Sequence, residues 1–182
     1  MNPTCPTNCA KTLPIVRFDK CAPAISLSEI EKIYISKPTA TPFIDWKLAP
    51  EWVERISESD LVDDDAIRPL TVIGDKPAPA NVIKELSNGR KIQVRKDHTL
   101  NITIDDVSDE NYELARVLEC GGQIRFWYET SGGKLYGGNE GIEGTIVLDG
   151  VLNRGRDEIE TLTGSITWSS KFSPERTVSP IV

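Results

Sequence analysis

A chain of 182 residues with 28 acidic against 21 basic side chains, a net charge of -7 and a pI near 4.9 is poorly suited to clamping DNA or an anionic membrane. Its length fits one domain that buries roughly 70% of its unfolded surface, so folding needs neither metal nor disulfides. No apolar run approaches the roughly 18 residues of a membrane span. The opening M-N-P-T-C-P-T-N-C-A-K-T-L-P has no apolar signal core. A soluble protein that is not classically secreted, with no membrane partner, is expected.

Residues 1–28 are Pro-rich and weakly patterned. Pro3, Pro6, Pro14 and Pro23 each remove a backbone donor, so the segment reads as an extended or disordered arm. Cys5, Cys9 and Cys21 fall here and Cys120 far away. The C-x3-C-x11-C spacing raises a zinc knuckle or a disulfide-pinned arm. It lacks paired C-x2-C ends, however, and His98 is the one histidine. Free thiols in a reducing compartment are the expectation.

Glu29–Lys37 reads as a short strand with Ile33 and Ile35 on one face. Residues 49–56 (A-P-E-W-V-E-R-I) read as a short helix, with proline in its first turn, Glu51 at its positive end and Trp52 and Ile56 on its buried face. Residues 45–65 hold eight acidic and two basic side chains. Asp60, Asp63, Asp64 and Asp65 suggest a calcium loop, but the EF-hand spacing is missing, and a solvated acidic loop is the simpler reading. Ile67–Gly74 forms a strand with Pro69 near its start. A stiff 76–80 connector follows, then an Asn88-Gly89 turn between runs 82–86 and 91–95. From His98, Leu100, Ile102 and Ile104 alternate with Thr99, Asn101 and Thr103. Ser108 caps a helix over 108–118 that Gly121 and Gly122 terminate, with Tyr112, Ala115 and Leu118 as its docking stripe.

The block 123–170 carries the clearest strand wording. Ile124, Phe126 and Tyr128 alternate with Gln123, Arg125, Trp127 and Glu129, which predicts one set inside and the other outside. Leu162, Gly164, Ile166 and Trp168 alternate with Thr161, Thr163, Ser165 and Thr167. Glycines at 132, 133, 137, 138 and 141 punctuate the runs as hairpin turns. The fold class expected is mainly β: an antiparallel β-sandwich or barrel over 29–170, with one flanking helix, a second short helix and extended arms at 1–28 and 171–182.

No nucleophile elbow, Walker loop or H-E-x-x-H occurs. His98 with a neighbouring hydroxyl, and Glu140 with Glu143, are thin material for catalysis. Trp127, Trp168, Tyr128 and Tyr136 could form a sugar-binding platform, although aromatic residues on alternating strands more often divide between core and interface. No catalytic, cofactor-binding or metal residue is assigned.

The order of arm, strands, charged loop, docked helix (S-D-E-N-Y-E-L-A-R-V-L) and final strands resembles the tail tube proteins of long-tailed bacteriophages. The likeness spans residues 29 to 170. It is densest in R-F-W-Y-E-T with G-I-E-G-T-I-V-L-D-G and in D-E-I-E-T-L-T-G-S-I-T-W. The Cys- and Pro-rich first 28 residues depart from it. The resemblance implies a β-sandwich with a flanking helix, shared with the tube protein of type VI secretion. It also implies a non-enzymatic virion protein, assembled in the host cytoplasm into stacked hexameric rings that conduct DNA, with itself and other tail or head–tail proteins as partners. On that view strands 123–128 and 161–168 build the ring wall, the 45–65 loop contacts the next ring or lines the lumen, and the arms tie rings together. A head–tail connector or capsid-decorating protein is the neighbouring alternative. A carbohydrate-binding β-sandwich using Trp127 and Trp168 is the distant one.

Overall fold

The computed structural model describes residues 21, 23–57 and 64–181. Among these, nine strands and two helices follow in the order β1 (Ile30–Ser36), α1 (Ala49–Ser57), β2 (Arg68–Asp75), β3 (Ala80–Glu85), β4 (Lys91–Ile104), α2 (Asp109–Glu119), β5 (Gln123–Thr130), β6 (Lys134–Tyr136), β7 (Ile142–Val151), β8 (Thr161–Ser170) and β9 (Arg176–Val178). Most of the 1–28 arm, including Cys5 and Cys9, lies outside the described residues, as do Asp60 and Asp63.

The fold is the mainly β class that the alternation predicts. All pairings are antiparallel, and the order β1-β2-β4-β8-β7-β5 returns to β1, closing a six-stranded barrel. Closure removes the open edges that a flat sheet of this length would present. The closing contact is non-local: Ile33 faces Tyr128, and Tyr34 faces Trp127. Ile33, Leu100, Ile102, Phe126, Ile146 and Ile166 fill the interior. Large β-branched and aromatic side chains at alternate positions produce this layer, because period two sends one set inward on every strand.

Two extra pieces extend the barrel. β3 and the first half of β4 form a ribbon joined at Asn88-Gly89, where Gly89 has φ 76 and the turn bonds Leu86 to Arg90. The runs expected at 91–95 and from 98 onward are thus one 14-residue strand. At the other end β6 pairs with β9, so part of the C-terminal segment is a short strand, and Ile181 packs against an outer cluster. Three residues are too few to show a period, which is why the sequence there reads as featureless.

α2 starts where Ser108 accepts a hydrogen bond from the Asn111 amide. It docks with Leu114, Ala115 and Leu118 on the barrel core. The expected stripe therefore needs correction: Tyr112 is 49% exposed, and Leu114 takes its place. The (i, i+4) pair Leu114 and Leu118 offers more aliphatic contact to the barrel than a stripe through the polar-tipped Tyr112.

β5 departs further from expectation. Every residue from Ile124 to Thr130 is buried, including Arg125, Trp127 and Glu129, which the alternation places outside. The cause is the excursion between β1 and β2. It brings α1 and residues 40–46 across the outer face of β1 and β5, and there Tyr34, Phe43, Trp46, Trp52, Ile67, Trp127 and Leu135 form a second core. Trp52 lies 5.4 Å from Trp127 and 5.2 Å from Tyr34, both edge to face. Such pairs are worth about 0.5–1.5 kcal/mol each beyond area burial.

Most polar groups on this face have partners; among the described residues Arg125 Nε is buried without one. Trp127 Nε1 donates to the Gly138 carbonyl at 2.8 Å, Tyr34 donates to Glu129 at 2.7 Å, and an Arg125 guanidinium nitrogen donates to the Ala40 carbonyl. Arg55 donates to the carbonyls of Thr41 and Pro42, pairs with Glu51 at 2.7 Å and lies over the Phe43 ring. The β6–β7 turn fits against the indole because Gly137 and Gly141 have positive φ, and a Cβ at either would collide with Trp127.

Trp127→Ala should therefore destabilise the protein by about 3–5 kcal/mol in equilibrium chemical denaturation. A loss under about 1 kcal/mol would show that the second core is dispensable.

Candidate functional site

The remaining outer wall of the barrel is open. On β4, β8 and β7 the inward residues are apolar apart from His98 and Ser170 at one end, the outward ones face solvent, and the register aligns them in rows. Thr99 faces Thr167, which faces Thr145, which faces Gln123. The next row is Asn101, Ser165 and Val147, and the next Thr103, Thr163 and Asp149. The outward side of β8 from Thr161 to Ser169 consists entirely of Ser and Thr. In a chain with 27% charged residues this wall carries ionised groups only at its margins, Arg95 with Asp97, Glu143 and Asp149. Depletion of charge from a broad exposed face is the compositional mark of the centre of a protein interface.

His98 belongs to the inward set. Its ring stacks on Trp168 at 4.8 Å with planes 4° apart, and its Nε2 lies 3.1 Å from Ser170 Oγ. Ser170 Oγ donates to the Phe172 carbonyl at 2.7 Å. The hydroxyl proton is thus committed, and Nε2–H must be the donor to Oγ. That tautomer makes His98 a buried donor instead of a base for Ser170. Nδ1 has no hydrogen-bond partner among the described residues. Burial, reinforced by Lys76 and Lys96 against the opposing Asp97, lowers the His98 pKa to about 4.

Trp127 and Trp168 are 1% and 7% exposed, and they sit on opposite sides of the barrel wall, one in the outer core and one inside. Tyr128 is buried and stacks on Tyr136 at 4.7 Å. The structure brings these four rings to no common surface, so the sugar-binding reading loses its platform. Glu143 lies at the barrel rim, 3.8 Å from Arg125.

Of the acidic run, the described members act as tethers. Asp64 pairs with Lys37 at 2.8 Å, and Asp65 accepts from both the amide and the hydroxyl of Thr41. The Thr41 hydroxyl bond is the main reason the Asp65 carboxyl titrates below its usual range. Cys21 and Cys120 are exposed, and Cys120 is a free thiol. Among the described residues no three of His, Cys, Asp and Glu gather into a group that could hold a metal ion. No helix there is long and apolar enough to cross a membrane.

Comparison with protein-family profiles, with curated protein sequences and with solved structures finds no match for this chain.

The uncharged outward rows could have been found in the sequence: T-L-T-G-S-I-T-W-S-S already shows hydroxyls at every second position. What sequence reasoning missed was that β4 and β7 continue the pattern on both sides.

A neutral buried His98 has a consequence for pH. Its folded pKa lies below the unfolded value of about 6.5, so its contribution is full above pH 6.5 and is lost as pH falls towards 4. The melting temperature should drop across that window, and His98→Gln should flatten this part of the profile. An unchanged profile in the variant would show that other groups set it.

Proposed function

We propose that this chain is a structural, non-enzymatic virion protein: a tail tube subunit that assembles into stacked hexameric rings through which DNA passes. The observation that carries this reading is the uncharged wall of β4, β8 and β7. A rigid barrel face of hydroxyls, amides and one exposed valine can pack against a copy of itself or a neighbour without desolvating charges, which is costly unless each is paired. Across the rows of this face there is no cation that could neutralise phosphate, Arg95 at its margin being held by Asp97, and phosphate affinity depends on such neutralisation.

The acidic balance acts in the same direction. Six copies of a -7 chain carry -42, which favours sliding of DNA over sticking. The likeness in layout and strand wording to phage tail tube proteins supplies the specific identity. Two cores on either side of β5 supply the stiffness that a wall element needs.

The test is negative-stain microscopy of the purified full chain. Rings and tubes are expected. Discrete rings that never stack would favour the head–tail connector alternative, and a strictly monomeric protein at high concentration would sink both.

A further inference from the structure

The β3–β4 ribbon is the least supported part of the barrel. β8 pairs with β4 only from Lys96 onward, so from Lys91 to Arg95 β4 is bonded to β3 alone. Among the described residues no strand lies along the outer edge of β3. Isolated two-stranded ribbons are marginally stable in water, yet this one exposes Ile83, Ile92 and Val94. Its charge is also the inverse of the chain's. Between Ala80 and Asp97 there are five cations against two acids, a local +3 in a protein of -7. Arg95 is held by Asp97 within the ribbon. Lys84, Arg90 and Lys91 form no ion pair with another described residue.

A complementary surface exists on the same chain but out of its reach. Around the start of α1, Ile44, Leu48 and Val53 are exposed near the half-buried Asp45 and the exposed Lys47 and Glu54, a net -1 once Glu51 pairs with Arg55. α1 packs on β1 and β5, and β5 is the strand directly across the barrel from β4. A single copy therefore keeps both surfaces unsatisfied: a basic, apolar ribbon on one side and an apolar face with a slight acidic excess on the other.

We propose that the β3–β4 ribbon of one copy docks on the Ile44–Val53 face of a second copy. The apolar residues supply burial and the charges fix orientation and partner. Because the two patches differ, the contact is heterologous. Repeated from copy to copy, it generates rings or filaments and not closed two-fold dimers. The inference rests on the self-assembly reading above and names the contact that would carry it.

Sedimentation velocity of the full chain tests it. Lys84→Glu with Lys91→Glu, both on the exposed ribbon, should leave the circular dichroism spectrum unchanged and raise the concentration needed for assembly by about tenfold or more. Adding Asp45→Lys and Glu54→Lys in the same chain should restore assembly by reversing the charge of the receiving face. Wild-type-like assembly by the ribbon variant would overturn this contact and leave the tube reading standing. Loss without rescue, in a variant that remains folded, would assign the ribbon another occupant and also overturn it. Ribbon-dependent closed dimers would overturn both the head-to-tail contact and the tube reading. A wild-type protein that is monomeric throughout would overturn both.

Discussion

The structure depends on β5 being buried on both faces. A barrel strand ordinarily gives half of its residues to the interior and half to water. Here Ile124, Phe126 and Tyr128 fill the barrel, while Arg125, Trp127 and Glu129 lie under α1 and the 40–46 segment. That second face is tolerable because its main polar groups find partners: the indole on Gly138, Glu129 under the Tyr34 hydroxyl and one Arg125 nitrogen on Ala40, with Arg125 Nε left unpaired among the described residues. An unpaired carboxylate or guanidinium at these positions would carry a desolvation penalty large enough to expel the covering segment. Trp127 is the pivot, since the glycine-rich turn before β7, the α1 helix and the 40–46 segment all close on its ring.

Covering one wall makes the molecule two-sided. The β1–β5 side is thickened by a second core and ends in an apolar surface with a slight acidic excess. The β4–β8–β7 side is a sheet whose outward residues are mostly hydroxyls and amides, with Val147 among them and charges at the margins, and a basic ribbon extends from one corner. On the proposed assembly reading, patches of different character on opposite walls would give copies a direction in which to join. Closure of the barrel removes the strand edges of the six-stranded wall itself.

Much of the fold is legible in the sequence wherever the determinants are local. The Asn88-Gly89 turn, the Ser108 cap and the alternation along β4 and β8 each follow from short-range rules, and the structure contains all of them. What escapes is non-local. Nothing near Gln123–Thr130 announces that residues 40–52 cover Trp127, so period two alone predicts one wet face and one dry one. The pairing of β1 with β5 that closes the barrel joins distant segments, and no local pattern encodes it. Tyr112 was misplaced for a milder reason: amphipathic stripes on a short helix can be drawn along neighbouring lines, and only the docked barrel selects Leu114. The candidate surface was half legible. Every second residue of β8 is Ser or Thr, but its meaning depends on which strands lie beside it.

The central claim is that this two-sided barrel is a subunit of an assembly. Sedimentation velocity of the unmodified full chain over a wide concentration range tests it most directly. The account predicts conversion of the 20.2 kDa monomer into a large species as concentration rises. A single monomer boundary at every concentration would contradict it.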